Sequence, residues 1–453
     1  MVKDKSLSSM RTFLVVWSGQ LISLIGSSIT GFAMSVWAYQ TTGSVTRFAL
    51  ILFCTTLPGV LLSPIAGALV DRWNHRTTMA LSDTGSALTT LALGVLLLLG
   101  KLEIWHIYIA TAINSSLSAF QWPAYTAATT LLVPGHQLGR ASGMVQMSRA
   151  AAQLIAPMLG AVLLGAIGLR GVILLDLVTF LFAIFTLMLV RFPTIKLSCE
   201  VSPATRSLVR DILFGWRYVS SKPGILGLLV FFAASNFLGG TLQVLVTPLV
   251  LSFTTTVTLG IVMSTGGIGM LIGSLVMSVW GGPSHLMKAV FGLMLICGIC
   301  TFTAGLQASV LLIACSAFVF FFCVPIINGC SQVILQRKVA PALQGRVFAL
   351  EGAIGSASLP LAYVIAGPLA DHVFEPFMIS DSPIANSFGH IIGTGPGRGI
   401  ALLFIVTGAL TIVLTLLARR YPRLRCIESE LPDNIPDEGV NDKKSGDISA
   451  QEA

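Results

Sequence analysis

The sequence predicts an all-α integral membrane protein: twelve transmembrane helices in two pseudo-symmetric six-helix halves. Three observations predict it. Apolar residues fill 54% of the 453 positions and charged residues only 10%, against roughly 45–50% and 25% in soluble domains. The apolar residues run continuously for about 20 positions at a time, the length of a spanning helix, and do not alternate as barrel strands do. Two landmarks also recur. VPGHQLGRASG at 133–143 and VAPALQGRVFA at 339–349 both place Gly-Arg, at Gly139–Arg140 and Gly345–Arg346, near the start of the next helix. Internal repeats of this kind are the mark of many membrane transporters.

In chain order the spans are expected at 13–37, 48–69, 78–99, 105–128, 143–167 and 172–190, which make an N-terminal bundle over 1–190. The second six are expected at 226–250, 259–280, 288–306, 309–332, 348–370 and 400–418, a C-terminal bundle over 226–418. The first run is too long, and lacks the small-residue cleavage site, for a signal peptide. Between the bundles, 191–225 is a linker with an amphipathic helix over 206–219, whose apolar positions 208, 209, 212, 213, 216 and 219 share one face. The tail, 419–453, becomes acidic and poor in apolar residues beyond Cys426 and reads as disordered. The connection 371–398 is an insertion that ends in a glycine-rich turn, Gly393 to Gly399, with no strand before it.

Charge fixes the expected orientation. Of 27 basic residues, all but Arg47, Lys101, Arg170, Arg398 and the intrahelical Arg149 fall on the side of the termini. That asymmetry makes the termini cytoplasmic. The net charge of +8 is therefore a topology signal and not a nucleic-acid footprint. The protein is expected in the cell membrane (the inner membrane of a Gram-negative source) as a monomer.

The residues also limit the chemistry. No GxxxxGK[ST] is present, so no P-loop supplies ATP-driven power. Most of the eight cysteines lie in apolar runs, where cysteine acts as a small hydrophobe. Cys297 and Cys300 have CxxC spacing without a strand, a second pair or a nearby His. No metal, no cofactor and no enzymatic nucleophile–base pair is expected.

Polar residues collect on single stripes of four helices. Helix 1 carries Gln20, Ser23 and Ser27; helix 4 carries Asn114, Ser118, Gln121 and Tyr125. Helix 7 carries Phe232, Asn236 and Gln243; helix 10 carries Phe321, Asn328 and Gln332. Spacings of three, four and seven put each set on one face. These are the first and fourth helices of each half, so symmetric halves should set them around one cavity. Amides, hydroxyls and aromatics without fixed charge suit a bulky amphipathic small molecule; interhelical hydrogen bonding is the other use of such stripes. Glu351, Asp83, Asp176 and Arg149 are ionisable residues inside helices, which are costly and usually functional. A carboxylate shielded from water can exchange a proton with the transport path. Arg149 cannot carry a proton and is expected to pair with a carboxylate or a substrate oxygen.

One loop is unusually charged. GALVDRWNHR, 67–76, holds Asp71, Arg72, His75 and Arg76. Gly67-x-Leu69-x-Asp71-Arg72-x-x-His75-Arg76 resembles the G-x-L-x-D-R-x-G-R-[KR] signature of the major facilitator superfamily, with Asn74 and His75 at the two altered positions. The resemblance implies that Asp71 latches onto the positive N-terminal end of helix 11, near Gly345 and Arg346, with Arg72 or Arg76 close by. Gly67 would allow close packing there. GQLISLIGSSITGFAMSVWAYQTTGS at 19–44, LGRASGMVQMSRAAAQLIAPMLGA at 138–161, LQGRVFAL at 343–350 and GPLAD at 367–371 resemble the drug:proton antiporter-3 branch, which holds macrolide-efflux and siderophore-export proteins. Ala156-Pro157-x-x-Gly160-Ala161 is a degenerate form of the exporter motif G-P-x-x-G-G.

The resemblance implies proton-coupled efflux of a drug, siderophore or peptide-like metabolite, with H+ and the bilayer as the other partners. An uptake symporter or lipid transporter uses the same fold, and a non-transporting membrane sensor is the third reading. The orientation is directly testable. A cysteine placed at Ser382 should react with an impermeant maleimide added to intact cells, and one at Ser445 should not. Labelling of the Ser445 probe would reverse the topology.

Overall fold

The structure is a computed structural model and describes residues 5–70, 73–133, 137–190, 217, 219–280, 282–283, 285–339, 341–380, 392–393, 395–425 and 428. Asp71, Arg72, most of the expected linker helix and nearly all of the acidic tail lie outside the described residues. The described chain is helical throughout. Its helices are α1 (Lys5–Thr42), α2 (Val45–Val70), α3 (His75–Leu98), α4 (Ile104–Leu132) and one run, Leu138–Leu189, that holds α5 and α6. The second half follows as α7 (Pro223–Leu251), α8 (Thr256–Trp280), α9 (Leu286–Ala304), α10 (Val310–Lys338), α11 (Pro341–Pro368) and α12 (Arg398–Arg420).

Among the described residues, ten runs are long and apolar enough to cross a membrane. The run 143–189 contains two of the expected helices. It breaks at Gly168, whose φ of 65° and ψ of 178° only glycine adopts cheaply. α4 is not among the ten because Asn114, Ser115, Ser116, Ser118 and Gln121 dilute its hydropathy. Helix ends lie outside the expected spans where local capping decides them. Asn74 accepts the amide of Thr77 at 3.2 Å and starts α3 ahead of residue 78. Ser309 accepts the amide of Leu312 at 3.4 Å and starts α10. α11 starts at Pro341, not at 348, so Glu351 stands almost three turns inside it. At its other end α11 does not stop at 370. It passes through a π-helical turn, Leu369–Phe374, into a short helix, Glu375–Ile379, where an irregular insertion was expected. The glycine-rich turn does form, with φ of 91°, 123° and 81° at Gly393, Gly395 and Gly397.

We call the face where α1, α3 and α5 start the near face, and the opposite one the far face. Lipid-facing surface is continuous: on α6, Leu174, Val178, Leu181, Phe185 and Met188 form one exposed stripe at helical spacing. The buried residues form four clusters. Two stay within single halves at the near face, one around Phe13, Met79 and Leu187 and one around Ile225, Met287 and Ile334. A third, around Ile29, Ile107 and Ile173, fills the far part of the first half. The fourth crosses between halves: Val36, Val45, Phe48 and Ala49 pack with Val244, Leu245, Ala362 and Ala366 at the far face. Hydrogen bonds between the halves follow the same division. Tyr39 donates to the Pro248 carbonyl at 3.5 Å and Gln40 to Thr256 Oγ1 at 2.9 Å, both at the far face. Mid-membrane, Ser264 of α8 donates to the Leu154 carbonyl of α5 at 3.5 Å. Among the described residues, the halves are closed at the far face.

α8 lies so close to α10 that a Cβ on Gly269 would collide with the Phe318 carbonyl. Small residues are how membrane helices reach such contact. Gly269→Val should lower stability in detergent by about 1–3 kcal/mol. Gly292→Ala, where a Cβ meets no described atom within 4 Å, should be neutral or stabilising by up to about 1 kcal/mol. Thermal unfolding of the purified variants distinguishes them; equal midpoints would show that the α8–α10 contact is loose.

Candidate functional site

The first half contains two buried carboxylates, and they command its polar residues. Asp83 on α3 is fully buried. Gln20 of α1 donates to its Oδ2 at 2.8 Å and Gln121 of α4 to its Oδ1 at 2.6 Å. The Gln121 amide also reaches Gln20 Oε1 at 2.9 Å, closing a ring of three side chains from three helices. Asp176 of α6 is 2% exposed. It accepts from Ser27 at 3.2 Å, from Thr90 at 3.5 Å and from its neighbour Thr179 at 3.5 Å. Buried charge requires such donors. Gln20, Gln121 and Ser27 therefore serve these carboxylates and line neither of the two cavities below; Ser23 is 4% exposed. Tyr125 is buried edge-on to Trp122, with ring centroids 6.2 Å apart. Asn114 and Ser118 line neither of the two cavities below, and Asn114 Oδ1 is buried without a described partner.

The second half does place its stripes on open space. A pocket of about 340 Å³ gathers Phe232 and Asn236 from α7, Asn328 and Gln332 from α10, and Glu351 from α11. A larger cavity of about 520 Å³ lies toward the far face. α7 gives it Gln243 and α10 gives it Phe321. Each of these stands seven residues from its counterpart below, about 10 Å along the helix. The hydroxyl of Tyr363 donates to Gln243 Oε1 at 2.6 Å and fixes the amide. The rest of this cavity is mostly apolar: Phe32 of α1, Phe48 of α2, Met263 of α8, Phe320 of α10 and Phe404 of α12 line it. None of those five was singled out from the sequence, because an aromatic or a methionine on an apolar helix gives no contrast against its neighbours. The arrangement suits a ligand with an apolar body and a polar group.

Three expected roles are revised. Arg149 is exposed, and its guanidinium carbon stands 3.1 Å from the centroid of the Trp122 ring, a cation–π contact in place of a carboxylate pair. Arg76 turns away from the other half. It donates to the carbonyls of Leu187 at 3.0 Å and Met188 at 2.9 Å, capping the open end of α6. A Cβ on Gly67 would meet no described atom within 4 Å. Asp71 and Arg72 lie outside the described residues, as do the side-chain surroundings of Gly345 and Arg346. Among the described residues, no group of His, Cys, Asp and Glu is placed to hold a metal.

A family model described as Major Facilitator Superfamily matches residues 16–363. Macrolide efflux protein A of Streptococcus pyogenes is 27% identical over 370 residues, which cover 80% of this chain and 90% of that protein. The multidrug efflux pump Tap of Mycolicibacterium fortuitum is 26% identical over 369 residues, covering 79% and 89%. Two solved structures share the fold at 13% identity. One is a bacterial homolog of the human lysosomal transporter Spinster, inward-facing and unoccupied, with a TM-score of 0.68 over 91% of this chain and 97% of that one. The other is a D-xylose-proton symporter, with a TM-score of 0.66 over 92% and 99%.

The ring around Asp83 makes a stability prediction. Gln20→Leu should cost about 1–3 kcal/mol by removing a donor from a buried carboxylate. Combined with Asp83→Leu, it should cost less than the sum of the two single changes by about 0.5–3 kcal/mol. Thermal midpoints of the four proteins measure this; strict additivity would mean that the ring carries no coupling.

Proposed function

The chain belongs to the major facilitator superfamily of transporters, and from that premise we propose that it exports a hydrophobic or amphipathic small molecule by proton-coupled alternating access. The observation that carries the reading is the stack of two cavities, an apolar one lined by both halves above and a polar one with Glu351 in the second half below. The apolar cavity takes the body of the substrate. The polar pocket holds Glu351, the one carboxylate among the described residues that line these two cavities; Asp83 and Asp176 are enclosed by their own donors. Glu351 is the proton site in this reading, and Asp83 and Asp176 keep the first half rigid. Arg149, stacked on Trp122, is the fixed cation near the path. The names of the relatives, macrolide and multidrug efflux, support the direction and the substrate class.

In this reading the termini are cytoplasmic, so the near face is the cytoplasmic one and the closed far face is the outer one. The bundles 1–190 and 226–418 rock as bodies, joined by the linker 191–225, in a monomer. Energetics allow a single proton to suffice. One charge falling through 100 mV releases roughly 2.3 kcal/mol, enough for about a 50-fold gradient at 1.4 kcal/mol per tenfold.

Everted membrane vesicles test the proposal. Radiolabelled erythromycin should accumulate inside them when a proton gradient is imposed, and a protonophore should abolish this. Glu351→Gln should eliminate the uphill accumulation and leave downhill exchange. Full proton-driven accumulation by the Gln variant would remove Glu351 from the mechanism. Accumulation by energised whole cells instead of vesicles would make the protein an uptake symporter.

A further inference from the structure

We propose that Asp371 is the lock that holds the far face shut, a positioning residue for transport that works by capping the start of α2 from the end of α11. The inference rests on the alternating-access reading for its purpose, and on direct contacts for its substance.

The Asp371 carboxylate crosses from one half to the other. Its Oδ2 accepts the hydroxyl of Ser44 at 2.6 Å and the amide of Thr46 at 2.8 Å, and its Oδ1 accepts the amide of Val45 at 3.0 Å. Val45 and Thr46 are the first two residues of α2, so these amides have no acceptor within their own helix. Ser44 completes the arrangement: its oxygen accepts the next amide, that of Arg47, at 3.3 Å. The end of α2 is thus satisfied jointly by its own cap and by a carboxylate from the opposite half. An anion at a helix N-terminus is stabilised by the helix dipole as well.

Two further features serve this contact. Gly367, one turn before Asp371, lets α11 approach α2: a Cβ there would stand 2.7 Å from the Thr46 Cα and 2.9 Å from the Ala49 Cβ. The π-helical turn Leu369–Phe374 contains Asp371. Such turns insert a residue into a helix and recur at functional positions. The sequence around the lock, Gly367-x-Leu369-x-Asp371, has the same spacing as Gly67-x-Leu69-x-Asp71 at the end of α2. The repeat therefore appears at the ends of two helices, α2 and α11, that pack against each other. At Gly367 the approach is tight, while a Cβ on Gly67 would meet no described atom within 4 Å. The copy at Gly367 is engaged in the conformation whose far face is closed.

The test uses the full chain with its eight cysteines replaced by serine or alanine. Cysteines at Gln40 and Thr256, whose side chains touch across the far face at 2.9 Å, are oxidised in membranes without substrate or gradient. A second reporter is a cysteine at Val36, buried in the core that spans the halves, probed with a water-soluble maleimide. Asp371→Asn should lower the rate of 40–256 disulfide formation and raise labelling at 36, each by about three- to tenfold, the range expected for loss of a charge at a helix N-terminus. Gly367→Ala leaves the carboxylate in place and should shift both readouts the same way by separating α11 from α2. A folded Asp371→Asn or Gly367→Ala protein with wild-type cross-linking and labelling overturns the lock, even if export is intact. Shifted readouts in a chain that exports nothing would instead leave the lock standing and remove the efflux reading.

Discussion

A carboxylate that the bundle shields from water must be answered by donors from within the bundle, and much of the first half is arranged around that requirement. Asp83 and Asp176 sit on α3 and α6, and their donors come mainly from α1 and α4. The polar stripe of α1 is consumed in this way, and so is Gln121. The first half is left to present mainly apolar and aromatic surface, such as Phe32 and Phe48, to the larger cavity. The second half has no enclosed carboxylate among the residues that line the cavities. Its amides at Asn236, Asn328 and Gln332 remain free to face a pocket with Glu351. Two halves of similar helix order thus divide the work: one is held rigid by internal charge solvation, and the other carries the polar part of the path.

The two faces of the molecule are held by different means. At the far face a shared apolar core, Tyr39 and Gln40 on α1 and the Asp371 contact all bridge the halves. At the near face each half keeps its own core. Between them, Gly260 and Gly267 of α8 lie against Ala161, Pro157 and Leu154 of α5, so the central seam brings the two helices together at small residues. Such a seam resists separation by close packing yet has little to catch when the helices tilt.

Much of the fold was legible because hydropathy is a strong signal in lipid. The helices fell near their expected spans, and the residues named on the stripes of α7 and α10 line the two cavities. What the sequence could not supply was the direction in which a polar stripe points. Gln20 and Asn236 are both amides on single faces of first helices, and one answers a carboxylate while the other faces a pocket. The difference depends on where α3 places Asp83, a contact between residues 63 positions apart. Arg76 was read as part of a charged loop, and its actual partners are carbonyls of α6, 111 and 112 positions away. The continuation of α11 past residue 370 is not legible because Asp371 and His372 interrupt the apolar run, and here the chain widens into a π turn.

The junction at Gly168 bears on how the first half can move. A single residue at φ 65° reverses the chain between α5 and α6 with no intervening loop. A connection without slack transmits torque. Any tilt that α5 takes up along its seam with α8 must be passed to α6, and through Asp176 to Ser27 on α1 and Thr90 on α3. The first half is geared as a unit, so that displacement at one helix becomes rotation of the whole.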